Sequence, residues 1–590
     1  MSTSSEPARQ AAGPATTHAP DAQALVIALV GSGGDGVALL GDLLLQMAAW
    51  QGLYGLMVQS YGPQIRGGES AAVVRIATRE IQYEGDDADV LVCFRASDLG
   101  RFRGAVQLHA GSTLVLDAAD KGELPEWLGH ADAREYRYPF TRLENGVEVQ
   151  SEPRNMLALA LLTRMLGWPE GLARRAVRER FSHRPEVAGR NVEALDHGFA
   201  AAGVPELPCF ATRAEERFIE TGNEAMARGA IEAGLGFFAG YPITPSSEIM
   251  ETLIDELPAT GGRLVQAEDE IAALGMVIGA SFGGVPAMTA TSGPGLSLMT
   301  EMLGLSSMTE VPAVVVDCQR AGPATGMPSR TEQSDLYHAV YGGHGDFPRV
   351  VLGTFDVVHA REVMRRAFGL SETWQLPVLV LSDAYIAQRR QIRDVPPALD
   401  PALRPARRRW TEADGPARFD LETARGVNPV RIPGTPGGTY QAAGIEHTEE
   451  GSPTSDTELH HEMNRKRFRK LEAIAEETAD WLRVLGRADA PRGIVAWGST
   501  YGLLREWVAS HPEYRAFLPE IIHPFPLAAF ERWRAGLERC AVVELSFQGQ
   551  FHRYLAGLTD MRGVTSIARS GGAPLKTSEL ETLLAEGTHS

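Results

Sequence analysis

The sequence predicts a multidomain α/β protein. Three observations carry that prediction. The chain has 590 residues, which at roughly 150 per domain gives about three or four domains. Short apolar runs of strand length alternate with helical periodicity in three separate stretches. The balance of 44% hydrophobic and 22% charged residues is that of an ordinary globular chain.

Residues 1–23 are rich in Ser, Ala, Thr and Pro and contain no apolar core, so they read as a disordered tail and not as an export signal. The first domain spans 24–200. It opens with the buried-strand run "ALVIALV", then "GSGGDG", then a helical pattern over Val37–Trp50; "LYGLMVQ", "SAAVVRIA" and "ADVLVCF" are further strands, and together they imply a parallel sheet. Polar text over about 180–215 reads as a connection. The second domain, 216–395, repeats the rhythm. A helix is predicted over Asn223–Leu235, then "YPITPSS", then "LVQAEDE" and a helix over Ile271–Ser281. The strand "VPAMTAT" ends in "SGPG", and "VPAVVVD" and "LPVLVLSD" are core strands. Residues 396–485 form a linker rich in Pro, Arg and Gly followed by one long charged helix. The last domain, 486–590, contains the strand runs "RGIVAW", "CAVVELS" and "GVTSIAR".

A net charge of −19 sets the surface against nucleic acid and anionic lipid. No apolar run reaches the roughly 20 residues of a membrane span. Cys93, Cys209, Cys318 and Cys540 stand far apart with no CxxC pair, which excludes a local zinc or iron–sulfur nest and suggests a reducing, cytoplasmic setting.

Five stretches carry candidate chemistry. "GSGGDG" places Gly31, Gly33 and Gly36 between a strand and a helix, where backbone N–H groups can face an anion. A dinucleotide site would also need an acid some 20 residues on, and Gln59 stands there, so a tight βα turn is the competing reading. "YGPQIRGGES" is a glycine-rich loop holding one arginine, Arg66, able to reach a phosphate or carboxylate or simply to be solvated. In "YPITPSS", Pro242 and Pro245 restrict Thr244, and Ser246 and Ser247 are N-cap candidates. A preset hydroxyl beside helix N-terminal amides suits a carboxylate. "QAEDEIAALG" puts Glu268, Asp269 and Glu270 at the start of an apolar helix, and "CQRAGPATGMPSRTEQSDL" puts Arg320 and Arg330 beyond a core strand, where open α/β sheets place ligands.

Taken in order, "GSGGDGV", "YGPQIRGGES", "GNEAMARGAIEAG", "YPITPSSEIME", "QAEDEIAALGMVIGAS", "TSGPGLSLMTE", "TGMPSRTEQSDL", "GGHGDFPRVVL" and "GIEHTEEGSP", with the C-terminal "GST" and "GQF", resemble the α subunit of 2-oxoacid:ferredoxin oxidoreductases with a fused N-terminal γ domain. The resemblance implies a γ-like domain, a thiamine diphosphate (pyrimidine-type) domain and a transketolase-C-like domain. It implies decarboxylation of a 2-oxoacid on thiamine diphosphate, acyl delivery to coenzyme A and electrons passed to ferredoxin. It also implies that Mg2+ and the [4Fe-4S] cluster reside on a β subunit. This chain's own "GDG" has no asparagine nearby to complete a metal motif, the first being Asn145. Carried over by motif, Glu270 resembles the carboxylate that bonds the aminopyrimidine. Tyr241 and Pro242 flank the cofactor, Thr244 is a substrate-carboxylate ligand, and Arg330, with Arg320 second, is its cationic partner. The glycine loops with Gly31, Gly33, Gly36 and Arg66 help to hold coenzyme A. "GGHGDFP" resembles members acting on 2-oxoglutarate, with pyruvate or another 2-oxoacid as alternatives; His338 or His344 could serve a second carboxylate. A nucleotide-binding scaffold protein is the competing class, and a one-chain transketolase-like enzyme fails on the missing metal motif.

Overall fold

The structure is a computed structural model that describes residues 24–61, 69–129, 132–141, 143–144, 147–148, 153–208, 210, 213, 215–397 and 404–587. Its strands fall into three main sheets. In chain order they are β1 (Ala24–Ser32), β2 (Tyr54–Tyr61), β3 (Glu69–Ala77), β4 (Ala88–Cys93), β5 (Leu108–Asp117), β6 (Arg134–Tyr138), the short pair β7 (Leu143–Glu144) and β8 (Val147–Glu148), and β9 (Phe218–Thr221). There follow β10 (Phe237–Gly240), β11 (Arg263–Gln266), β12 (Ala287–Thr291), β13 (Ala313–Gln319), β14 (Val350–Gly353), β15 (Pro377–Asp383) and β16 (Arg390–Arg393). The last are β17 (Leu482–Gly486), β18 (Arg492–Val495), β19 (Tyr514–Pro519), β20 (Ile521–His523), β21 (Arg539–Glu544) and β22 (Val564–Ala568).

The first sheet has the order β6-β5-β4-β1-β3-β2-β16-β9 and is mixed, which corrects the expectation of a parallel sheet. β1/β4, β4/β5 and β5/β6 are parallel, but β3 is antiparallel to both β1 and β2. The reason is connection length: the few residues between β2 and β3 allow a hairpin, whereas a parallel crossover needs a dozen or more. β9 and β16 lie at the two ends of the predicted 216–395 unit, yet they pair with each other and, through β16, with β2.

The second sheet, β11-β10-β12-β13-β15-β14-β20, is parallel except for its last strand. β13 and β15 are buried along their whole length, which is why they read as continuous apolar runs and not as alternation. Helices Gly222–Glu232 and Val357–Trp374 cover one face. Helices Glu270–Phe282 and Thr300–Met308 cover the other, where the core continues into Trp497, Phe517 and Phe530 of the C-terminal part. The third sheet, β17-β19-β18-β21-β22, is thereby docked on the second, with β20 pairing to β14.

The described part of the linker contains one single-turn helix and isolated bridges, but it is ordered by charge. Arg407 forks onto Glu372 at 2.5 and 2.9 Å. Fully buried Glu310 is clamped by Lys466 and Lys470 of the long helix Thr457–Glu477, the latter at 2.7 Å. Breaking such a buried cluster at one partner costs about 3–5 kcal/mol, so these ions fix the excursion onto the second sheet.

Candidate active site

Four parallel strands of the second sheet deliver the predicted groups at their carboxyl ends. β10 leads into the Tyr241–Ser246 loop, β11 towards Glu270, β12 into Ser292–Gly295 and β13 into Arg320. This is the edge at which open α/β sheets form ligand crevices.

Glu270 is the first residue of helix Glu270–Phe282. Asp269 starts the helix, its carboxylate accepting the Ala272 N–H at 2.7 Å, so the triad of acids divides into one cap and one inward-facing group. Glu270 is 5% exposed and lies against Gly295. A Cβ at residue 295 would fall 2.4 Å from Glu270 Oε1 and 2.1 Å from Thr291 Oγ1, so only glycine leaves this carboxylate its place. A carboxylate held at a buried boundary can accept a hydrogen bond from a protonated ring nitrogen, which is the contact an aminopyrimidine needs. The residues here fit that group.

The Tyr241–Ser246 loop is pinned from below by Asn223, whose Nδ2 donates to the Pro245 carbonyl at 2.7 Å. The Thr244–Pro245 bond is cis. Thr244 is exposed, as are Pro242 and Tyr241. Neither serine caps the next helix, a correction to the expectation. Ser246 has helical dihedrals (φ −80°, ψ −10°) in place of the extended ones a capping serine requires, and its hydroxyl donates back to the Ile243 carbonyl at 3.0 Å.

Arg320 is 7% exposed and donates from Nη1 to the Thr244 carbonyl at 2.7 Å, while its Nε–H finds no partner among the described residues. Burial pulls its pKa below the ordinary value. Glu270, Thr244 and Arg320 thus share one edge of the sheet. Arg330 leaves that edge for a cleft: its side chain packs on Gly572, where a Cβ would sit 2.8 Å from Arg330 Cβ. There it lines a cavity of about 610 Å³ between the first sheet and the C-terminal part, together with Ser60, Arg103, Arg569 and Lys576.

Gly31 lies near the end of β1, paired with Ser70 of β3, and Gly33 and Gly36 lie in the turn between β1 and helix Val37–Trp50. Its polar groups meet other protein groups: Asp35 accepts the Ser32 N–H at 2.8 Å and pairs with Arg154 at 3.1 Å, and Asn155 fills the space where a Gly36 Cβ would go. Arg66 lies outside the described residues. His338 is lowered in pKa by burial and by nearby Arg349 and contacts Thr300 Oγ1 at 3.2 Å. His344 is exposed and precedes the amino end of β14.

The chain is 32% identical over 611 aligned residues to the 2-oxoglutarate oxidoreductase subunit KorA of Mycobacterium tuberculosis, a match covering 93% of this chain and 90% of that one. The chain belongs to the 2-oxoacid:ferredoxin oxidoreductase family. Within this oxidoreductase, residues 228–466 match the family described as pyruvate flavodoxin/ferredoxin oxidoreductase, thiamine diphosphate-binding, and residues 26–201 match pyruvate ferredoxin/flavodoxin oxidoreductase. The alpha subunit of 2-oxoacid:ferredoxin oxidoreductase 2 from Aeropyrum pernix is 34% identical over 459 residues, 73% of this chain and 71% of that one. A solved 2-oxoglutarate:ferredoxin oxidoreductase from Magnetococcus marinus, with 2-oxoglutarate, coenzyme A and succinyl-CoA bound, superposes with a TM-score of 0.87 at 33% identity, over 96% of this chain and 99% of that one. Glu270, Thr244, Arg320 and Arg330 of the present oxidoreductase all fall in the thiamine diphosphate-binding match.

Sequence reading missed the glycine that fixes Glu270, although "SGPG" was visible at a strand end. It also missed Asp317 and Asp335, which face one another behind Arg320. Among the described residues no group of three or more His, Cys, Asp or Glu is placed to hold a metal ion, and no helix is long and apolar enough to cross a membrane.

Proposed function

We propose that this chain is the α subunit of a CoA-dependent 2-oxoglutarate:ferredoxin oxidoreductase that converts 2-oxoglutarate to succinyl-CoA. The observation that carries the reading is one sheet edge that holds both a glycine-seated, buried Glu270 and the Arg320–Thr244 contact, within a chain whose relatives are named for this reaction. Thiamine diphosphate, when bound, supplies the nucleophile and the electron sink for decarboxylation. Glu270 would hold its aminopyrimidine and govern a proton there, with Tyr241 and Pro242 flanking it. Thr244 and Arg320 would orient the 2-oxoacid carboxylate, the guanidinium having an unused N–H. Arg330 supports a different or additional role, as a wall of the 610 Å³ cavity in which Arg103, Arg569 and Lys576 offer cations for the phosphates of coenzyme A. The glycine loops with Gly31, Gly33, Gly36 and Arg66 remain candidates beside it.

The diphosphate, Mg2+ and [4Fe-4S] ligands are assigned to a separate β subunit, and ferredoxin to the role of acceptor. Apolar side chains exposed around the same edge support a covering partner there: Tyr241 is 43% exposed, Ile271 43% and Leu298 50%. We divide the chain into a γ-like part (24–200), a thiamine pyrimidine part (216–395) and a C-terminal part (486–590), in a cytoplasmic protein. Viologen reduction by the chain co-purified with its β subunit, measured with CoA and a panel of 2-oxoacids, tests the reading. Turnover fastest with 2-oxoglutarate is expected, and preference for pyruvate would replace the substrate while keeping the site.

A further inference from the structure

β13 is buried from end to end, and Asp317 within it is 0% exposed. Among the described residues neither of its carboxyl oxygens meets an N–H or O–H; the group opposite is the carboxyl of Asp335. Two carboxyls facing one another in a low-dielectric interior cannot both ionise, and the arrangement that satisfies both is one shared proton.

Asp335 is held there by the C-terminal part. Gln550 spans the Asp335 segment, its Nε2 donating to the Ser334 carbonyl at 2.7 Å and its Oε1 accepting the Tyr337 N–H at 2.9 Å. Gln333 donates through Nε2 to the Trp497 carbonyl at 2.8 Å and accepts the Leu545 N–H at 3.0 Å. The Asp335 N–H itself donates to Gln319 Oε1 at 3.1 Å. The "GST" and "GQF" stretches of the C-terminal part therefore serve to suspend this segment. Gly498 lets Gln333 approach, since a Cβ there would lie 2.5 Å from Gln333 Nε2.

The suspended carboxyl presses on the turn that seats Glu270. A Cβ at Gly293 would fall 2.7 Å from Asp335 Oδ2, two residues from the glycine against which Glu270 rests. The charged groups that face Asp335 are Arg320, Glu332 and Asp317. Among the described residues no carboxylate lies within ion-pairing distance of Arg320, so the pair is the nearby negative charge that offsets the buried guanidinium. Asp383 on neighbouring β15 is engaged elsewhere, accepting the Ile386 N–H at 3.0 Å.

We infer that Asp317 and Asp335 are positioning residues that share one proton, the single negative charge left on the pair offsetting the buried Arg320 guanidinium and the Asp335 carboxyl holding the Ser292–Gly295 turn in place beside Glu270. The functional half of this inference rests on the proposed reading of that edge as the oxoacid site; the shared proton does not.

Infrared difference spectra of the purified chain report protonated carboxyls without any substrate. The expected result is a protonated-carboxyl component at neutral pH that disappears in both Asp317→Asn and Asp335→Asn; its absence from the wild type, or its persistence in both variants, overturns the shared proton. In the complex with the β subunit, Asp335→Ala is expected to raise KM for the oxoacid by about 10- to 100-fold, the range for losing support of a charge-assisted contact. Asp335→Asn replaces the shared proton with an amide N–H, so it recovers most of that loss. The wild-type enzyme weakens its hold on the oxoacid at alkaline pH as the pair gives up its proton, and this limb is missing in Asp335→Asn. Equal losses in the Ala and Asn variants, or an unchanged alkaline limb in Asn, overturn the positioning role.

Discussion

Gly295→Ala is the smallest perturbation that reaches the candidate catalytic carboxylate. The backbone at 295 is helical, so the substitution introduces no φ strain and gains about 1 kcal/mol of helix propensity. The added methyl, however, meets Thr291 Oγ1 at 2.1 Å and Glu270 Oε1 at 2.4 Å. Thr291 is β-branched, 0% exposed and part of β12, so it cannot turn aside. Glu270 must recede by about 1 Å to regain ordinary contact distance. Overpacking of this kind costs about 1–3 kcal/mol, leaving a net destabilisation of about 0–2 kcal/mol after the helix gain. Displacing a reacting group by about 1 Å costs activity on the order of 100-fold. The assay is 2-oxoacid-dependent viologen reduction by the αβ complex, with thermal unfolding of the same sample. A variant that folds with near-normal stability and loses about two orders of magnitude in kcat is expected; wild-type turnover would refute the idea that Gly295 seats Glu270.

Three further outcomes follow from the same geometry. Glu270→Gln keeps the shape but not the ionisable group, so turnover should fall by about 100- to 10,000-fold while circular dichroism and complex formation stay as in the wild type. Arg320→Met removes the donor to the Thr244 carbonyl and the candidate anchor for substrate carboxylate, so KM for the oxoacid should rise by about 10- to 100-fold with a smaller change in kcat. Glu446 accepts both Arg467, at 2.6 and 3.1 Å, and His460 at 2.5 Å, and these partners hold its pKa down at about 2 against the usual 4.5. A depressed carboxylate stabilises the fold above its unfolded pKa, and that contribution disappears as pH falls from about 4.5 towards 2. Chemical denaturation of Glu446→Gln should therefore show a flatter dependence on pH over this window than the wild type.

Much of the scaffold was legible because burial writes itself into local pattern. The run Val37–Trp50 forms one helix with those bounds, and Ile271–Ser281 is the body of the helix that begins at Glu270. The long charged helix and the two fully buried strands are equally plain in sequence. What pattern cannot carry is pairing. The direction of β3 depends on a short connection, and β9 and β16 join the first sheet only because distant segments meet. The site divides in the same way. Glu270, Thr244, Arg320 and Arg330 stand in strand-end motifs and could be named as candidates; the Arg320–Thr244 bond, which spans 76 residues, and the departure of Arg330 to another cleft could not. Asp317 looked like one more residue of a core strand, and Asp335 like one more polar residue of a loop. Their meaning lies in facing each other, which only the fold supplies.

The central claim is that this chain contributes an acid and an anion-gripping edge to an active centre that a second chain completes. The most direct test is 2-oxoglutarate- and CoA-dependent viologen reduction by the purified chain, first alone and then with increasing β subunit. No turnover alone, and activity that saturates as the β subunit is added, is the predicted result; decarboxylation by the isolated chain would contradict it.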